Sequence, residues 1–337
     1  MNLKQYLPEI KENEPLAPYT TIRVGGSAQY LYVAKTRIDL IKAVEIAKQL
    51  DLSYFILGAG SNLVFPDTGF KGLVIKNEVN NFKLIDQEFS EEELNSISPR
   101  LKQLDNAKYD IKNLGVSFDK TTQKVYFQVG SGTRLNILIQ QCLDRGFTGL
   151  EWFAGIPGTV GGACFMNIHG GDFFFSDFVM EVEVLEEDGS IKVYKNKDLK
   201  FAYDYSIFHE NKKVILNLIL RFYKGNSDIA RNTYSNWVSK KIINQPQNSA
   251  GCIWQNLSEK EQQDHFLASC SIGYIIDQVL GLKGIKIGQA QISLKHAGFI
   301  ENLGKATSKD VLSLVELVEN KFLDKFGFAL KREVIFL

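Results

Sequence analysis

Between Gly155 and Ala163 the chain places four glycines and a proline in nine residues, Gly155-Ile156-Pro157-Gly158-Thr159-Val160-Gly161-Gly162-Ala163. Such a run is too poor in side chains to make a regular element, and its backbone amides are left unshielded. It is either a purely structural loop or a surface on which amides closely approach a phosphate or a flat ring. A second run, Gly58-Ala59-Gly60-Ser61-Asn62, follows the apolar Tyr54-Phe55-Ile56-Leu57, which reads as a short buried strand. Alone it is a tight turn; alongside the first it favours two glycine loops serving one ligand.

A third glycine turn, Gly130-Ser131-Gly132, joins the strand-like Val125-Tyr126-Phe127-Gln128-Val129 to a helical pattern through Leu135, Leu138, Ile139, Cys142 and Leu143, which Gly146 is placed to end. The dinucleotide-binding fingerprint needs a further glycine where Leu135 stands, so a Rossmann site is set aside. Elsewhere, Thr36 and Asp39 form a capping-box pattern ahead of Leu40, Ala43, Val44, Ala47 and Leu50. Alternation over 180–184, a turn at Asp188-Gly189, and the runs 191–194 and 214–222 predict three strands. Gly225-Asn226-Ser227 reads as a boundary, followed by a helix-rich region. That region ends with Val311, Leu314, Val315, Val318 and Phe322 on one face, between Thr307 and Gly327, and a strand over 332–337 follows. The polar stretch 82–120 reads as an inserted surface segment with a short helix after Ser90.

At 337 residues the chain has room for two or three cores with clefts between them. Lys+Arg and Asp+Glu both number 39, without long like-charge blocks, so no nucleic-acid or anionic-membrane footprint is expected and the partner is a small molecule. No stretch reaches the length of a membrane span. The polar start Met1–Glu14 is unlike a secretory signal, and four scattered cysteines (Cys142, Cys164, Cys252, Cys270) suggest neither a metal site nor a disulfide framework. A reducing cytoplasm is the expected home.

The ordered motifs Thr20-Thr21-Ile22-Arg23-Val24-Gly25-Gly26, Leu57-Gly58-Ala59-Gly60-Ser61-Asn62-Leu63, Gly149-Leu150-Glu151, the 155–163 loop with Met166-Asn167, Ser249-Ala250-Gly251-Cys252, Ile276-Asp277, Gly281-Leu282-Lys283-Gly284, Ser293–Ile300 and Glu333-Val334 resemble the successive signatures of UDP-N-acetylenolpyruvoylglucosamine reductases. The resemblance spans nearly the whole chain outside 82–120. It implies an α+β fold of the vanillyl-alcohol-oxidase (PCMH) FAD-binding type. One flavin-binding lobe would comprise 1–77 with the terminal strand 327–337, and the other 78–225 with the insertion. A C-terminal α+β substrate-binding domain would cover 226–326.

The same resemblance implies FAD and NADPH as cofactors and a nucleotide sugar as substrate. Hydride would pass through the flavin to the enolpyruvyl group, and a proton would then be added to the adjacent carbon. Residues 57–63 and 155–163 would hold FAD. Cys252 matches the family's Ser-or-Cys proton donor, although a lone cysteine otherwise reads as a small buried apolar residue. Glu333 matches the catalytic glutamate. Tyr203, Ser206, Lys241, Gln255, Asn256 and His296 would line the substrate, with His296 open between ligand contact and loop packing. His169 departs from the small residues usual there and is open between flavin contact and a hydrogen bond within a turn. The family's Tyr-Arg-x-Ser reads Tyr203-Asp204-Tyr205-Ser206, so a cation that would stabilise the substrate carboxylate is replaced by an acid. Lys240, Lys241, Lys295 and Arg332 are the candidates to compensate. The alternatives are a flavin oxidoreductase of the same fold with another substrate, and a flavin-binding protein without turnover.

Overall fold

The computed structural model describes residues 3–97, 123–171 and 173–337. The chain begins with β1 (Lys11–Pro15), β2 (Ser27–Ala34), α1 (Arg37–Gln49), β3 (Tyr54–Leu57), the two-residue β4 (Leu63–Val64) and β5 (Phe70–Asn77). Four of these strands make a sheet of order β1-β2-β5-β3, in which β2, β5 and β3 run parallel. The expected capping box is present at Thr36 and Asp39. It starts α1 so that Leu40, Ala43, Val44 and Ala47 pack against Ala34, Leu73 and Ile75 of the sheet.

Next come β6 (Phe82–Ile85), α2 (Glu91–Ile97), β7 (Lys124–Gly130), α3 (Leu135–Asp144), β8 (Phe147–Thr148), α4 (Val160–Met166), a short hairpin β9 (His169–Gly170) and β10 (Phe173–Phe174), then β11 (Val179–Leu185), β12 (Ile191–Lys195) and β13 (Val214–Lys224). They form an antiparallel sheet of order β12-β11-β13-β7-β6, with β8 beside the end of β13. The first residues of the predicted surface insertion are therefore a sheet strand: β6 pairs with β7, and Phe82 stacks on Phe127 at 4.3 Å. The helix expected after Ser90 is α2. The remainder of that segment, 98–120, lies outside the described residues.

Beyond Asn226, whose side chain caps it, α5 (Ser227–Asn244) leads to β14 (Ser249–Cys252), α6 (Glu259–Asp264), β15 (Lys286–Ile287), β16 (Ala290–Ile292), β17 (Phe299–Asn302), α7 (Ser308–Phe326) and β18 (Ile335–Phe336). The region expected to be helix-rich also holds a four-stranded antiparallel sheet, β14-β17-β16-β15, covered by α7. Helix α5 joins the core of the second sheet through Ala230, Tyr234 and Trp237 rather than that of the third. The three sheets converge on one cleft. Ile22, Val24 and Val64 enter the third core, and Leu185, Val214 and Leu216 of the second sheet enter the first.

Candidate active site

Both glycine loops face this cleft, of about 1230 Å³, and each is held from behind. The Thr21 amide donates to the Gly60 carbonyl (3.0 Å), while the Thr21 hydroxyl donates to Ser249 O (2.6 Å), tying the first loop to the third sheet. The buried Lys76 ammonium donates to the Gly58 carbonyl. Burial, and then the nearby Arg134, lower the pKa of this amine to about 8. Gly60 has φ +67°, and a Cβ there would lie 2.1 Å from the Tyr19 carbonyl oxygen, so the turn itself demands glycine. The second loop rests on the turn at 130–133: Val160 N donates to Thr133 O (2.9 Å) and Gly161 N to Ser131 O (2.8 Å). The two loops are stitched directly by the Ser61 hydroxyl donating to Pro157 O (2.6 Å).

Gly158 tests whether a flavin fits. It lies outside the left-handed region, and a Cβ would meet no protein atom within 4 Å. Nothing among the described residues requires glycine there, and the space a Cβ would enter is left open beside the cleft, which is compatible with a group lying between the loops. Gly58 through Leu63, Gly155 through Thr159 and Gly161 through Ala163 border the cleft, while Leu57 and Val160 are buried beneath it as packing.

At the wall formed by the third sheet, the Cys252 thiol donates to Trp254 O at 3.2 Å. A Cβ on Gly298 would lie 2.8 Å from this sulfur and 3.0 Å from the His296 ring, so that glycine keeps the space between them open. Glu333 is fixed through its backbone. Its amide donates to Ile253 O (2.8 Å), and its carbonyl accepts from the Asn62 side chain (3.1 Å). The strand behind it, β18, pairs in parallel with β4. Burial, then the charges of Glu333 and Asp204, push the Cys252 thiol up to about 12; burial and Asp204 likewise raise the Glu333 carboxyl well above the usual carboxylate range. Both shifts favour the protonated forms.

Tyr203, Asn256, His296 and Lys241 border the same cleft. The Asn256 oxygen accepts from Ile272 N (3.1 Å), which leaves its amide hydrogens for the Tyr203 hydroxyl and the cleft. His296 accepts from Gly298 N through Nδ1 (3.1 Å) and packs edge-on against Phe299, and burial lowers its pKa, so a neutral imidazole presents Nε2–H. Lys241 lies along Gly155; its buried ammonium has no hydrogen-bond partner among the described residues, and burial lowers its pKa to about 8. Ser206 is not brought into the cleft: it is fully buried, and its hydroxyl donates to Phe165 O (2.6 Å). Gln255 borders a neighbouring pocket beside Arg332.

Three of the four candidate compensating cations are engaged elsewhere. Arg332 forms a two-pronged pair with Glu319 (2.7 and 2.6 Å), Lys295 donates to Ile242 O (2.9 Å), and Lys240 stands over Trp237. Asp204 instead meets His169 at 3.5 Å, a pairing that sequence spacing does not reveal because the two lie on separate loops.

Paired glycine loops beside a buried thiol and a buried carboxyl are the arrangement of a flavin-dependent oxidoreductase. Residues 111–194 match the family model of an FAD binding domain, and residues 244–337 that of the UDP-N-acetylenolpyruvoylglucosamine reductase C-terminal domain. The UDP-N-acetylenolpyruvoylglucosamine reductase of Chlamydia felis is 33% identical, over 95% of this chain and 91% of its own. That of Caldanaerobacter subterraneus subsp. tengcongensis is 31% identical over 98% and 95%. The crystal structure of the Thermus caldophilus reductase superposes with a TM-score of 0.68 at 30% identity, covering 97% of this chain and 98% of that one. The chain belongs to the UDP-N-acetylenolpyruvoylglucosamine reductase family and has that family's FAD-binding fold.

Proposed function

We propose that the protein catalyses NADPH-dependent, FAD-mediated reduction of the enolpyruvyl group of UDP-N-acetylenolpyruvoylglucosamine, forming UDP-N-acetylmuramate for peptidoglycan synthesis. The observation that carries this reading is the meeting of Cys252 and Glu333 in a cleft bordered by both glycine loops. Bound FAD supplies hydride transfer from the nicotinamide to the enolpyruvyl carbon. Residues 58–63 with Gly155, Gly158 and Thr159 would offer it backbone amides, while the amides of 160–163 are spent on Thr133, Ser131 and Thr159. Cys252 keeps a proton on Sγ and delivers it to the carbon next to the one that accepts hydride. Glu333, also protonated, donates a hydrogen bond to the substrate carboxylate where negative charge accumulates. Lys241, Asn256, Tyr203 and His296 orient the nucleotide sugar.

The flavin lobes are assigned to 1–77 with 327–337 and to 78–225, and the substrate domain to 226–326. The free cysteines fit a reducing cytoplasm. Among the described residues no helix is long and apolar enough to cross a membrane. Homology along almost the entire chain favours this reading over another substrate or a flavin protein without turnover.

The test is anaerobic. The enolpyruvyl substrate should reoxidise the NADPH-reduced protein; Cys252→Ala should slow that step by about 10²-fold, with Cys252→Ser keeping part of the rate. Reoxidation of Cys252→Ala at the wild-type rate would remove the thiol from the donor role.

A further inference from the structure

The ring of His169 stands at the cleft, stacked on Tyr203 with centroids 5.2 Å apart, and its Nδ1 is 3.5 Å from Oδ1 of Asp204. The two side chains differ sharply in exposure: 41% for His169 and 3% for Asp204. Asp204 sits in the tight turn Ala202–Tyr205 at φ +49°, a conformation that short polar residues tolerate and long side chains rarely adopt. Asn167, itself left-handed, anchors the turn by donating to Ala202 O (2.7 Å). Asp204 is thus locked in place, and its second oxygen is buried without a hydrogen-bond partner among the described residues. A buried carboxylate of this kind needs a counter-charge, and the ion-pair partner the fold gives it is His169.

We propose that His169 and Asp204 act as a dyad. Asp204, the positioning residue, holds the His169 ring through its Nδ1 edge. His169, the catalytic residue, presents Nε2–H to the carboxylate of the enolpyruvyl group and stabilises the negative charge that builds there during reduction. Two side chains from separate loops would then do the work of one fixed cation. The geometry favours this over an incidental surface pair for two reasons. The acid is the buried partner and the base the accessible one, which is the order needed to aim an imidazole outward. Tyr203 also supports the ring face, leaving its edge toward the cleft. The ionisable groups bordering the same cleft include Tyr203 from the turn, Glu333 from the C-terminal segment, Cys252 from β14 and Lys241 from α5, and its further lysines are Lys212 and Lys213.

The proposal rests on the reductase reading, and the experiment separates the two. Flavin absorbance first reports folding of H169Q, H169R and D204N; each, reduced anaerobically, is then mixed with UDP-N-acetylenolpyruvoylglucosamine. H169Q should be reoxidised about 10²-fold more slowly than wild type, the scale of one lost charge-stabilising donor. D204N should lose less, and H169R should recover much of the rate. Wild-type reoxidation of flavin-loaded H169Q, or an H169R no faster than H169Q, overturns the dyad and leaves the reductase reading standing. Failure of the substrate to reoxidise wild type overturns both.

Discussion

A Cβ at Gly158, beside the cleft, would meet no described protein atom within 4 Å, whereas one at Gly60 would collide with the Tyr19 backbone. The two substitutions should therefore fail differently. Gly158→Leu should fold, with a circular dichroism spectrum like wild type, and emerge colourless. Gly60→Leu should be poorly soluble or markedly less stable, as a strained left-handed residue in a crowded turn would be. A yellow Gly158→Leu protein with full flavin content would contradict the loop assignment. Glu151 acts on stability at the same scale. It is buried, its Oε2 accepts from Gly149 N (2.6 Å), its Oε1 has no partner among the described residues, and burial raises its pKa to about 7 despite that hydrogen bond. Because the fold favours the protonated acid, this contribution is complete below the unfolded carboxyl pKa and is lost as pH rises through about 7. Glu151→Gln keeps a neutral group there, so between about pH 5 and about pH 8 it should lose less stability than wild type, by up to about 3 kcal/mol. Urea titrations at the two ends would show this, and parallel losses would refute it.

Among the elements, those with a buried face read well from sequence: α1 and α7 with their capping boxes, β3 ahead of its glycine turn, and β7, β11 and β13; the exposed β12 was marked by the turn at Asp188-Gly189 instead. Those that escaped are short or lack a single face. The third sheet is built from strands of two to four residues, too brief for alternation to register, and β6 hides in a polar stretch. Helix α5 leaves Ile242 and Ile243 exposed while burying Ala230, so its apolar residues mark no stripe. The glycine turns at 58–62 and 155–159 were legible because glycine density constrains backbone directly, but 160–163, expected to form no regular element, starts helix α4 behind the Thr159 cap. Cys252 and Glu333 needed the family resemblance, because a lone thiol and a charge near a strand carry no local signal. The His169–Asp204 pair could not be read at all, since it depends on where two turns meet. The positioning of Glu333 by β18 is open to test. Ile335 N donates to Asn62 O at 3.1 Å, and Ile335→Pro deletes that donor. Flavin should stay bound while reoxidation by substrate slows by about tenfold to a hundredfold through misplacement of the carboxyl. An unaltered rate would show that β18 does not set its position.

Across the whole molecule, the cleft is stitched by bonds between residues far apart along the chain: Thr21 reaches Ser249, 228 positions on, and Asn62 reaches Glu333, 271 positions on. Each such closure spends chain entropy before it returns any contact energy, so these links should form late, after the individual sheets have collapsed. During folding the chain would pass through a stage in which its separate cores are already assembled while the ligand-binding surfaces have yet to meet. Flavin added at that stage would find only half a grip, and its capture would report the final docking step rather than the earlier collapse.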